Sequence, residues 1–109
     1  MEASVYVGST TYTVTGTTVI ATGAWHHVAL VRTGDVLKLF IDGTQEGGNV
    51  AISGSINNSS NDYVVGDHGD TLAAWYGWVD AYRLSVGIAR WTAAFTPPDA
   101  AYDAATNGR

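Results

Sequence analysis

Gly66-Asp67-His68-Gly69-Asp70-Thr71 packs two carboxylates, an imidazole and two glycines into one short stretch. Carboxylate oxygens on a pliant loop are the donors calcium takes, six to eight at a time. The spacing does not follow a helix-loop-helix calcium loop, and Asp also serves turns for their own sake. Calcium is therefore admitted by this loop but not required by it. Trp75 and Tyr76 follow closely. An aromatic face stacks on the apolar face of a sugar ring while nearby oxygens accept its hydroxyls. Asp67, His68, Asp70, Trp75 and Tyr76 are thus the candidate ligand-binding set, with a glycan or polysaccharide as the ligand class. The competing reading is packing into a core. Tyr76 is expected to pack inward, while for Trp75 both readings stay open.

His26 and His27 are adjacent. Neighbouring strand residues point to opposite faces, so the pair cannot chelate one ion. His27 shares a face with Trp25 and Ala29 and is expected to be a buried imidazole bonded to a neighbouring loop. Asp80 shares a strand face with Trp78, Tyr82 and Leu84, which puts it on a core-facing side. A carboxylate there must be met by backbone donors or by Arg. It would serve as a strut tying a loop to the sheet or, less readily, as a metal ligand. Arg83 and Arg90 are expected to pair within the domain.

The elements that position these residues read as short strands broken by Gly, Asn and Asp. Val5 and Val7 alternate with Ser4 and Tyr6, and Thr10 to Thr22 reads as two strands with a turn or bulge at Gly16. Trp25 to Thr33 is a strand with apolar residues on both faces, predicting cover on both sides for part of its length. Thr33-Gly34-Asp35 is a turn. Val36 to Ile41 places Leu37, Leu39 and Ile41 on one face and Val36, Lys38 and Phe40 on the other. Asp42-Gly43 is the strongest hairpin signal. Further strands are expected within Asn49 to Ile56, over Asp62 to Gly66 and over Gly77 to Val86. A single helical turn is expected within Ile88 to Phe95, and Pro97-Pro98 ends regular structure. The pattern indicates an all-β, antiparallel sandwich or jelly roll.

The 109 residues suit one domain, with a loose tail at 99–109. An apolar content of 46% with only 14% charged residues excludes the disordered class. Net charge is −5 and Lys38 is the only lysine, which argues against nucleic acid and anionic membrane surfaces as partners. No apolar run approaches the ~20 residues of a spanning helix. The absence of cysteine removes disulfides and thiolate chemistry. Met1-Glu2-Ala3-Ser4 lacks a signal-peptide stretch, so the expectation is export by another route or a piece of a larger protein.

Three segments carry a resemblance. They are Trp25-His26-His27-Val28-Ala29-Leu30-Val31-Arg32, then Leu37-Lys38-Leu39-Phe40-Ile41-Asp42-Gly43, then Tyr76-Gly77-Trp78-Val79-Asp80-Ala81-Tyr82-Arg83-Leu84-Ser85. Ala89-Arg90-Trp91-Thr92 and Phe95-Thr96-Pro97-Pro98 follow the third. In this order they resemble the laminin-G-like branch of the concanavalin A-like lectin/glucanase superfamily, in the form found in phage virion and bacterial surface proteins. The likeness spans about Gly23 to Pro98. Ala81 departs from it, standing where the family usually has an acid beside Asp80. Only about two or three strands fit before Gly23, so a sandwich reduced at its front is implied.

The resemblance implies a jelly-roll-like sandwich and an extracellular or virion-surface location. A glucanase of this superfamily needs two carboxylates on one strand, to attack or activate water and to protonate the leaving oxygen. The only glutamates, Glu2 and Glu46, fall in expected termini or turns. The sequence therefore reads as a non-catalytic glycan-binding or adhesion module. The alternative is a structural decoration or assembly domain without a small ligand. The Thr-rich run Thr10 to Thr22 has no Lys or Pro to blunt a sheet edge, so a homo-oligomer or a place in a larger assembly is expected.

Overall fold

A computed structural model describes residues 1–58, 65 and 75–99. The chain divides into two compact units, Met1–Asn57 with Ser85–Asp99, and Asn58–Leu84 with Ala100–Arg109. The described residues contain strands and no helix, and the strands form two antiparallel sheets.

The five strands of the described residues lie in the first unit. β1 (Glu2–Val7) pairs with β2 (Thr10–Thr15). β3 (Val28–Thr33), β4 (Val36–Ile41) and β5 (Thr44–Ala51) form the second sheet in that order. Each hairpin closes on two residues: Gly8-Ser9, Gly34-Asp35 and Asp42-Gly43. Such loops need positive φ in a primed turn, which Gly, and less readily Asp, can adopt. At Asp42-Gly43 both residues are positive, with φ 51 and 82.

β4 matches its sequence pattern on both faces. Leu37, Leu39 and Ile41 join Val14 of β2 and Ile52 in a core between the two sheets. Phe40 packs on the other face with Ala29 and Val31, covered by Ala89, Trp91 and Phe95. Two glycines permit close backbone approaches, one between the sheets and one between the β4–β5 turn and the Phe95 segment. At Gly47 (φ 72) an added Cβ would meet the Thr15 carbonyl oxygen at 2.5 Å. At Gly43 it would meet the Phe95 carbonyl oxygen at 1.8 Å.

Several expectations are corrected. Thr10 to Thr22 holds one strand, not two. The Gly16 amide still donates to the Met1 carbonyl, and the pairing of β2 with β1 ends at that rung. β3 begins at Val28 rather than Trp25, because its partner β4 ends at Ile41. The strand is covered on one face only. Ala29 and Val31 are buried, while Val28 and Leu30 are 38% and 40% exposed. β5 starts directly after the Asp42-Gly43 turn, ahead of the expected Asn49.

The helical turn within Ile88 to Phe95 does not form. The Phe95 amide donates to the Gly43 carbonyl, and the Thr92 carbonyl accepts from Lys38 Nζ. Backbone groups that a helical turn would use are thus bonded to the sheet. Gly77 to Val86 is not a strand. Ala81 has φ 51, which breaks an extended run, and its amide is taken by the Asp80 carboxylate. The expected strand Asp62 to Gly66 lies outside the described residues except for Val65, as do the loop to Ala74 and the tail from Ala100.

Candidate functional site

Side-chain chemistry in the first unit centres on the β4–β5 turn. Asp42 Oδ2 lies 2.8 Å from His26 Nδ1, and Asp42 Oδ1 accepts from the His27 amide at 2.8 Å. These two bonds, the His26 side chain first, hold the Asp42 carboxyl below its ordinary range. The His27 ring turns the other way. It meets Trp91 and Phe95 edge-on, at centroid distances of 5.2 and 5.5 Å. Trp91 and Phe95 stack on one another at 4.2 Å. The histidines therefore diverge, as alternation requires, and His27 is a half-buried packing residue.

Glu46 has a role that the sequence reading missed. It lies within β5, not in a turn. Oε2 accepts from the amides of Thr17 and Thr18 at 2.8 and 2.9 Å, and Oε1 accepts from the Thr18 hydroxyl. The Thr18 hydroxyl is the leading cause that holds this carboxyl low, ahead of the Thr18 and Thr17 amides. Glu46 thus fastens the chain leaving β2 to the other sheet. A lone acid in a strand opposite a Thr-Thr pair was the only signal for it.

In the second unit, Trp75 and Tyr76 are 47% and 91% exposed. Tyr76 does not pack inward as expected. Gly77 lies against the indole, where a Cβ would stand 3.1 Å from Trp75 Nε1. Asp67, His68 and Asp70 lie outside the described residues. Asp80 is not on a core face either. Its neighbours Trp78, Tyr82 and Leu84 are all exposed, Trp78 at 85%, because no strand among the described residues pairs with this segment. Among the described residues the Asp80 carboxylate accepts from the adjacent Ala81 amide and ties no loop to a sheet. Arg90 does find a partner, donating from Nε to Ser85 Oγ at 2.7 Å. Among the described residues no three His, Cys, Asp or Glu side chains come together as a metal site.

The arrangement offers two adjacent exposed rings for stacking and no paired carboxylates on a described strand. Glu2 and Glu46 stand in different sheets. A family model for the concanavalin A-like lectin/glucanases superfamily, Laminin_G_3, matches residues 1–88. The chain belongs to this laminin-G-like family. The match to the laminin-G-like model shares residues 23–88 with the span from Gly23 to Pro98 that carried the resemblance, extends further N-terminally to take in the β1–β2 hairpin, and ends ahead of Trp91. The two antiparallel sheets agree with the family's sandwich. No characterised protein and no solved structure matches the chain significantly.

Proposed function

We propose that this laminin-G-like chain is a non-catalytic carbohydrate-binding or adhesion module, displayed extracellularly or on a virion surface. The observation that carries the reading is the joint exposure of Trp75 and Tyr76, directly after the acidic loop. Two consecutive solvent-exposed aromatic residues offer π-faces to a sugar, and the Asp67, His68 and Asp70 side chains supply polar partners for hydroxyls. The engagement of the Glu46 carboxylate by three donors supports a non-catalytic role, since it leaves that acid no part in glycoside hydrolysis. Calcium is an optional participant through Asp67 and Asp70. A glycan array probed with and without calcium tests the reading. Binding to a defined polysaccharide class that fails in Trp75→Ala supports it, and a blank array in both conditions removes it.

A second reading has its own support. Trp78, Tyr82 and Leu84 are exposed in the same unit as Trp75, and large exposed apolar surface marks contact with another protein. On that reading the chain is a decoration or assembly domain of a phage virion or secreted surface protein. Its partners are protein, in a homo-oligomer or larger assembly. Nucleic acid fits neither reading, because the net charge is −5 and Lys38, the only lysine, donates to the Thr92 carbonyl. No helix among the described residues is long and apolar enough to cross a membrane.

A further inference from the structure

The four strand edges of the two sheets are not equivalent. On β1 the Tyr6 carbonyl accepts from the Asn57 amide, and the Asn57 side chain bonds both the amide and the carbonyl of Gly8. The end of β2 lies against Gly47 of β5. The edge of β5 is broken. Leu37 pairs with Val50 and Leu39 with Glu46, so three residues of β5 stand opposite Lys38 alone. A bulge of this kind stops a further strand from adding. β3 is regular over all six residues, and among the described residues of the first unit no strand or backbone hydrogen bond occupies its outer side.

Its outward groups follow from the register. Thr33 and Val36 flank a two-residue turn and so form a hydrogen-bonded pair. Alternation then turns Val31, Ala29 and His27 toward β4, as the bond from the Asp42 amide to the His27 carbonyl bears out. The amides and carbonyls of Val28, Leu30 and Arg32 point away. Their side chains share the face of Ile41, Leu39 and Leu37, and it is on this face that Val28 and Leu30 are exposed.

We propose that two copies of this chain join through β3, antiparallel about a two-fold axis at Leu30. In that register Leu30 faces the partner's Leu30, and Val28 faces the partner's Arg32. Every outward amide and carbonyl of the three residues then finds a mate, which no shift by one residue achieves. The charges agree as well. Arg32 comes diagonally beside the partner's His26, whose ring is bonded to a half-exposed Asp42 carboxylate. Within its own chain Arg32 donates from Nε to the Gly34 carbonyl at 2.9 Å, and its terminal nitrogen stands 3.8 Å from exposed Asp35. The β3–β4–β5 sheet would thereby continue into a six-stranded one. The inference is independent of sugar binding.

The absence of cysteine makes the register testable in the full chain. Facing residues in a hydrogen-bonded pair have Cα atoms about 5.5 Å apart, within disulfide range. On mild oxidation Leu30→Cys should give a covalent dimer, and so should the double variant Val28→Cys/Arg32→Cys. Val28→Cys alone and Val19→Cys, at an exposed site away from the edge, should not. In sedimentation the parent should be a dimer, and Leu30→Lys should raise its dissociation constant by about tenfold or more with the circular dichroism spectrum kept. A parent that stays monomeric at every concentration overturns the proposal. So does a dimer that Leu30→Cys cross-links no better than Val19→Cys.

Discussion

Asp42 and His27 are joined twice and in opposite senses, the Asp42 amide donating to the His27 carbonyl and the His27 amide donating to the Asp42 carboxylate, each at 2.8 Å. The rung below Val28–Ile41 is thus completed by a side chain in place of a backbone carbonyl. Asp42→Ala removes that acceptor and also puts Ala at φ 51. We expect a loss of about 1–2 kcal/mol in urea unfolding. Asp42→Asn keeps an acceptor and tolerates the backbone, so it should recover more than half of the loss.

Acid should weaken the fold through the same residue and through Glu46. Both carboxyls are held below their ordinary values of 3.8 and 4.5 in the folded chain. A depressed folded value means that the unfolded chain takes up protons first. The stabilisation is therefore fully present above about pH 5 and is lost as pH falls through 4.5 and 3.8 toward the folded values. Melting temperature against pH should be level from neutrality to about pH 5 and then drop. In Glu46→Gln the starting stability should be lower and the acid drop shallower. An unchanged drop in that variant would mean that other groups carry it.

Gly47→Ala should act between the sheets. Its Cβ would sit 2.5 Å from the Thr15 carbonyl oxygen and 2.8 Å from Val14 Cγ1, at a φ that Ala resists. We expect at least 2 kcal/mol of destabilisation, roughly, from strain and lost packing of the fully buried Val14. Gly48→Ala has a similar φ but meets nothing within 4 Å, so it should cost only about 1 kcal/mol. Equal effects at the two positions would show that β2 does not approach β5 this closely.

Trp75→Ala and Tyr76→Ala separate recognition from packing. Both rings are exposed, so each variant should melt within about 1 °C of the parent. Affinity for a glycan found on the array should fall by about 1–2 kcal/mol for Trp75→Ala. A lowered melting temperature with affinity intact would assign the ring to packing and withdraw the site.

The legible parts of the fold were those decided locally. Alternation in Val36 to Ile41 was enough to divide Leu37, Leu39 and Ile41 from Phe40, because both faces of that strand are covered and each face keeps its own residues. Asp42-Gly43 announced its turn because few dipeptides accept two positive φ angles in a row. Strand ends were not legible. Where β2 stops depends on where β1 starts, and where β3 starts depends on where β4 stops. Glu46 escaped notice for the same reason, its partners Thr17 and Thr18 being far along the chain. Asp80 was misplaced because alternation fixes which residues share a side but not whether anything covers it. In the candidate site, the aromatic pair was legible from residue type, and its exposure was not.

The double cover of β4 bears on how this chain can vary in length. Inserting or deleting one residue between Val36 and Ile41 would send Phe40 into the aliphatic side and its leucine neighbours onto Trp91 and Phe95. Such a change would exchange the occupants of two cores at once. The bulge at Gly47-Gly48 already holds surplus chain, and nothing lies within 4 Å of a Cβ at Gly48. Among related sequences, gaps in alignment should therefore gather at this bulge and leave Val36 to Ile41 uninterrupted.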